Sequence, residues 1–173
     1  MIGTPLLAGL AMAAAIIAPA PVTAHADAQR LAATANWPES GSFLRYDHNL
    51  ATGKFEASMK GTYEITDIHP DLFQPVGTAH VKGNVINQVA GDFRCAFGLF
   101  RITYLATDGN LLSTMKYYRN CKGKTKLAFD FSHPNVHRLE AKACTDGKRP
   151  EGTKPSLHCL EDSGWKTLYV SYP

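Results

Sequence analysis

Between Phe55 and Thr66 apolar or small residues (Phe55, Ala57, Met59, Gly61, Tyr63, Ile65) alternate without a break with polar ones (Glu56, Ser58, Lys60, Thr62, Glu64, Thr66). Side chains on an extended strand point to opposite faces in turn, so this run predicts a half-buried β-strand with one wet face and excludes a helix. Ala79 to Val85 repeats the pattern, with Ala79, Val81, Gly83 and Val85 set against His80, Lys82 and Asn84. Each run carries an interior glycine, Gly61 or Gly83, which suits a bulge or a sharp bend at a barrel corner.

Phe93 to Cys121 predicts a hairpin, because two apolar strands flank Asp108-Gly109. The apolar phase is odd at Phe93, Cys95, Phe97 and Leu99 but even at Phe100, Ile102 and Tyr104. A bulge near Leu99 and Phe100 accounts for that flip. Counting from a tight turn pairs Ile102 with Met115 and Phe100 with Tyr117, and beyond the bulge places Cys95 opposite Cys121, within disulfide reach. Further strands are expected at Leu127–Phe131, Leu139–Ala143 and Trp165–Tyr172.

The chain opens on an apolar run with no charged side chain, Met1 to Ala26, ending in Ala24-His25-Ala26. It reads as a secretory signal peptide (1–26) with an A-x-A cleavage site, followed by a leader or short helix (27–42) and a secreted β domain (43–173). Pro19 and Pro21 interrupt the run and Leu6 to Ala18 is too short for a bilayer of about 30 Å, so no membrane span is expected after signal removal. The implied location is extracellular or periplasmic. That compartment is oxidising, which makes Cys95–Cys121 and Cys144–Cys159 the expected disulfides. The separations contain no C-x-x-C, against a zinc site. Cys144 and Cys159 would clamp a loop rich in Gly and Pro. The fold class is accordingly mainly β, a single antiparallel β-sandwich or small β-barrel of about seven or eight strands with two disulfides.

Charge says little about purpose: 18 basic and 15 acidic side chains leave a net +3. Local excesses at Lys116–Lys126 and at Lys148 and Arg149 read as solvated turns, and the pattern argues against nucleic acid or acidic lipid as partner. His133 and His137 have metal-chelating spacing for a helix, but Pro134 biases His133 away from helix, and an extended chain parts the rings by about 13 Å. No metal or cofactor is therefore assigned. There is no G-x-S-x-G; Ser40-Gly41-Ser42 lies in a loop, and His80 with Glu64 is an acid–base pair without fixed geometry.

These absences point away from an enzyme. The function expected is a secreted, non-enzymatic binding module, an inhibitor-like protein among its forms, that engages a protein or glycan through a sheet face or the clamped loop. Tyr118 and Tyr169, taken as exposed, and Lys148 and Arg149 on the loop are the binding candidates. The alternatives are a small secreted hydrolase or nuclease using His and a carboxylate, and a ligand-carrying barrel with Gly61 and Gly83 at its corners.

Overall fold

A computed structural model describes residues 39–49, 53–70, 72, 74–91, 93–147 and 154–171. The expected signal peptide and most of the leader lie outside them. Among the described residues the chain forms seven strands: β1 (Ser40–Asn49), β2 (Lys54–His69), β3 (Val76–Asn87), β4 (Arg94–Leu105), β5 (Leu111–Asn120), β6 (Lys126–Gly147) and β7 (Lys166–Val170), with one helical turn, α1 (Leu157–Leu160). All belong to one antiparallel sheet, ordered β1-β2-β3-β6-β4-β5, with β7 paired to β6. The sheet is not closed.

The alternating runs land on β2 and β3 as expected, with Ala57, Met59, Tyr63, Ile65, Ala79, Val81 and Val85 all buried. No bulge forms at either glycine. Gly61 and Gly83 face each other in an unbroken register, flanked by Phe43 on β1 and Phe129 on β6. A Cβ on Gly83 would lie 2.2 Å from Lys60 O and 2.7 Å from the Phe129 ring, and one on Gly61 would lie 2.9 Å from the Phe43 ring. The missing side chains are the space into which the two rings fold, and the rings stack 6.4 Å apart.

Leu127–Phe131 and Leu139–Ala143, which the sequence separates, are two parts of one 22-residue strand. Along β6 the ladder with β3 shifts between His133 and Val136, and the ladder with β4 shifts between Val136 and Arg138. Asn135 adopts φ 55° in this stretch. Pro134, which has no N–H to give a ladder, is tolerated because it sits at the irregularity. Val136 lies opposite Gly77 on one edge and Tyr104 on the other. One strand thus passes from β3 to β4 and wraps the sheet around a common core centred on Phe43, Phe100, Phe129 and Phe131.

The hairpin corrects the expected register. Ile102 faces Thr114 and Phe100 faces Lys116, with no bulge anywhere between β4 and β5. The odd residue is in the turn: Ala106 N–H donates to Asn110 O and Gly109 N–H to Ala106 O, with Gly109 at φ 82°. This is a three-residue connection with glycine in the left-handed position. The phase flip has another cause, since β4 is buried on both faces. Ala96, Phe100 and Ile102 enter the main core, while Cys95, Phe97 and Leu99 form a second cluster with Cys144 and Cys159.

Both expected disulfides are present, Cys95–Cys121 and Cys144–Cys159. Two buried asparagines complete the same end of the sheet. Asn120 donates through Nδ2 to Val85 O and Thr125 O, and its Oδ1 accepts from Lys122 N–H and the Thr125 hydroxyl. Asn87 Nδ2 donates to Arg94 O and Asn120 O. Full use of these amides makes their burial affordable and pins the β3–β4 and β5–β6 connections together.

Asn120→Ala removes four hydrogen bonds of a buried amide, to Val85 O, Thr125 O, the Lys122 N–H and the Thr125 hydroxyl, and should lower unfolding free energy by about 2–3 kcal/mol in a urea titration. Gly83→Ala should cost about 1–3 kcal/mol in the same assay through overpacking, whereas Gly109→Ala acts only through its backbone angle and should cost about 1 kcal/mol.

Candidate binding face

The register of the first three strands and the first part of β6 sets their outward side chains in rows. One row runs Ser42, Thr62, Lys82, Asp130, and the next Ser40, Glu64, His80, Ser132. On the other side of the Lys82 row lies Leu44, Lys60, Asn84. Neighbours stand about 4.8 Å apart across strands and about 6.8 Å apart along them. Two open grooves cross this face. One, of about 610 Å³, is lined by Ser42, Leu44, Lys60, Thr62, Lys82 and Asn84 among others. The second, of about 700 Å³, includes Ser40, Glu64, His80, Lys82 and Asp130.

His80 and Glu64, paired on paper from sequence alone, are direct cross-strand partners. The hydrogen bonds of His80 run elsewhere, with Nδ1 2.8 Å from Ser132 Oγ and Nε2 3.2 Å from Thr66 Oγ1. Thr66 directs its hydroxyl proton to Asp67 Oδ2, so it accepts from Nε2–H. Nδ1 then takes the Ser132 proton, because a neutral imidazole has one donor and one acceptor. The result is a solvent-exposed relay from Ser132 through His80 and Thr66 to Asp67.

The other histidines are dispersed. The ring of His133 packs 4.8 Å from Tyr104, and His137 Nδ1 lies 2.7 Å from Ser171 Oγ. Both sit in β6. His158 on α1 is 3.7 Å from Glu161. Among the described residues no three His, Cys, Asp or Glu side chains gather as a metal set.

The tyrosines singled out from sequence are not exposed platforms. Tyr169 is 3% exposed within the main core. Tyr118 shares a face with Lys116 and Asn120 as expected, but that face looks inward, and its ring packs against Phe100, Phe129 and Phe131. Alternation says which residues share a face and not which face meets the core. Among the described residues the exposed tyrosine is Tyr46 on β1, its ring 4.5 Å from that of Phe55. Lys148 and Arg149 lie outside the described residues.

The segment that leaves the clamped loop, from α1 to Trp165, lies against the second face of β4 and β6. Arg101 donates from Nε to buried Glu140 at 2.7 Å and from Nη1 to Asp162 at 2.8 Å, and its guanidinium lies 4.8 Å above Trp165. Lys142 Nζ donates to Glu161 O, as does Trp165 Nε1. The bond to Glu140 raises the Arg101 pKa, while burial lowers that of Lys142. These contacts hold the segment after Cys159 in place, with Trp165 packed on the second cluster; within the loop itself, the Ser156 N–H donates to Asp146 Oδ2.

Comparisons with protein families, curated proteins and solved structures find no match for this chain. Among the described residues no helix is long and apolar enough to cross a membrane.

Burial raises the hydroxyls of Tyr63, Tyr118 and Tyr169 above the ordinary 10.0, with the charge of Asp130 adding at Tyr118 and that of Glu39 at Tyr169. In the unfolded chain they ionise first, so their contribution is full below pH 10.0 and lost as pH rises through the raised folded values. Lys142, with its lowered value, acts in the opposite sense. Urea titrations across the alkaline range should therefore show Tyr169→Phe losing less stability with rising pH than the parent; equal slopes would refute the assignment.

Proposed function

We propose that this is a secreted, non-enzymatic binding module whose outer β1–β2–β3–β6 face holds a glycan chain. The observation that carries this reading is the row Ser42, Thr62, Lys82, Asp130 with grooves on both sides. Hydroxyl, ammonium, carboxylate and amide groups at regular spacing suit successive sugar hydroxyls, and the 46% exposed Leu44 and Tyr46 offer apolar surface to a ring. The preformed sheet loses little freedom on binding. The two disulfides are consistent with the oxidising compartment that export implies. We read the coiled sheet as an open barrel rather than a sandwich, supported by β6 being shared between β3 and β4. Its interior is occupied by the Phe43, Phe100, Phe129 and Phe131 rings, which favours binding on the outside over carriage within.

A second reading rests on the Ser132–His80 hydrogen bond, the arrangement by which a hydrolase activates a serine. Its exposure on an open sheet face, where water competes for every group, favours the binding role.

A glycan array followed by calorimetry tests both. Binding of an oligosaccharide that weakens about tenfold in Lys82→Ala, with two or three groove contacts of about 0.5–1.5 kcal/mol lost or loosened, supports the module. Ester or polymer hydrolysis that disappears in both Ser132→Ala and His80→Ala, without saccharide binding, replaces it with the hydrolase.

A further inference from the structure

The end of the sheet where β2, β4 and β6 begin and β3 and β5 finish carries a second surface. Gly109 to Phe129 contains no Asp or Glu, and the fold places its cations beside those of β2. Lys54, Lys122, Lys124 and Lys126 are all exposed. None of the four forms an ion pair among the described residues. Among the described residues the acids at this end are Glu56, paired with Arg94, Asp47, which accepts from the Thr145 N–H, and Asp146, which accepts from the Gly147 and Ser156 N–H groups. Neutral N–H groups leave the two aspartate charges in place, but among the described residues the four exposed lysines outnumber them, and the balance at this end is positive.

Apolar side chains stand among these cations. Phe93 on the β3–β4 connection is 63% exposed, and Phe55 at the start of β2 is 52% exposed. The loops that present them are braced. Cys95–Cys121 joins β4 to the end of β5, Asn120 holds the turn, and a Cβ on Gly123 would lie 2.4 Å from Gly91 O, so the two connections touch backbone to backbone.

We propose that this end is a peripheral docking surface for a membrane bearing anionic lipid headgroups. Lysines without internal partners attract the headgroup charge, and exposed phenylalanines suit the acyl boundary beneath it. A soluble polyanion would use the lysines alone and would leave the rings in water. The sequence reading takes the Lys116–Lys126 excess as a solvated turn and argues against acidic lipid from charge alone; the fold sets Lys54 and two exposed phenylalanines at the same end.

The test is vesicle co-sedimentation of the full chain, with vesicles of phosphatidylcholine alone and of equal parts phosphatidylglycerol and phosphatidylcholine. Residues 1–26 carry no charged side chain, so they add equally to every variant. The parent should bind the anionic vesicles more tightly, and Lys122→Glu with Lys124→Glu should weaken that binding by about tenfold or more, each lysine near the surface being worth about fivefold. Phe93→Ser should weaken vesicle binding severalfold but leave binding to dextran sulfate unchanged. Unchanged thermal midpoints and cysteines that take up no alkylating reagent, being held in the two disulfides, confirm that the variants fold. Equal binding to both vesicle types overturns the proposal, as does unchanged vesicle binding by Phe93→Ser, which would mark a soluble polyanion site. Lys82→Ala, on the outer face, should leave vesicle binding intact, so the two surfaces stand or fall separately.

Discussion

Every layer of this fold depends on β6 remaining one strand through Pro134. Were the chain to turn there, the β1–β2–β3 ladder and the β4–β5 hairpin would each be left with an exposed apolar face and no shared core. The shifts between His133 and Arg138 absorb the proline and re-aim the strand, so Phe129 and Phe131 at one end and Leu139 and Ala141 at the other enter the same interior. A bulge is the inexpensive solution, because it sacrifices one or two ladder bonds and retains continuous pairing on either side. The ring pair over Gly61 and Gly83 then fills what the wrap encloses.

Much of this was legible in the sequence where one residue decides one thing. Twelve alternating residues define which side chains of β2 share a face, and Asp108-Gly109 marks a hairpin. The Cys95–Cys121 pairing was reached through two errors that cancel. A two-residue turn with a bulge and a three-residue turn without one give the same register beyond Leu99, and they differ only in the turn hydrogen bonds and in the pairs between Phe100 and the turn. The apolar residues on both sides of β4 were read as a phase change because alternation assumes that one face is wet. A central strand covered on both faces breaks that assumption.

Illegibility at the site has the same origin. Tyr118 and Tyr169 were placed on the correct sides of their strands but on the wrong side of the sheet, since which face turns inward depends on how distant strands close over it. The rows Ser42–Thr62–Lys82–Asp130 and Ser40–Glu64–His80–Ser132 combine residues from four strands. No local window contains them. Only the His80–Glu64 pair was visible beforehand, and the fold gives the histidine two hydroxyl partners instead.

Both disulfides lie toward the end of the sheet from which the lysine-bearing connections emerge, and this placement bears on why a chain with its own hydrophobic core retains them. A wrapped sheet is held in its middle by packing, but its connections are held only by what crosses between them. Cys95–Cys121 and the Asn87–Asn120 amides stiffen the β3–β4 and β5–β6 connections, while Cys144–Cys159 fixes α1 against the second face of β4. Closing a loop of this size restricts the unfolded chain by about 3 kcal/mol. It also lowers the ordering cost of any contact made by residues beside the bridge. Stability and preorganisation are thus supplied by the same two bonds, and a reducing compartment would weaken both together.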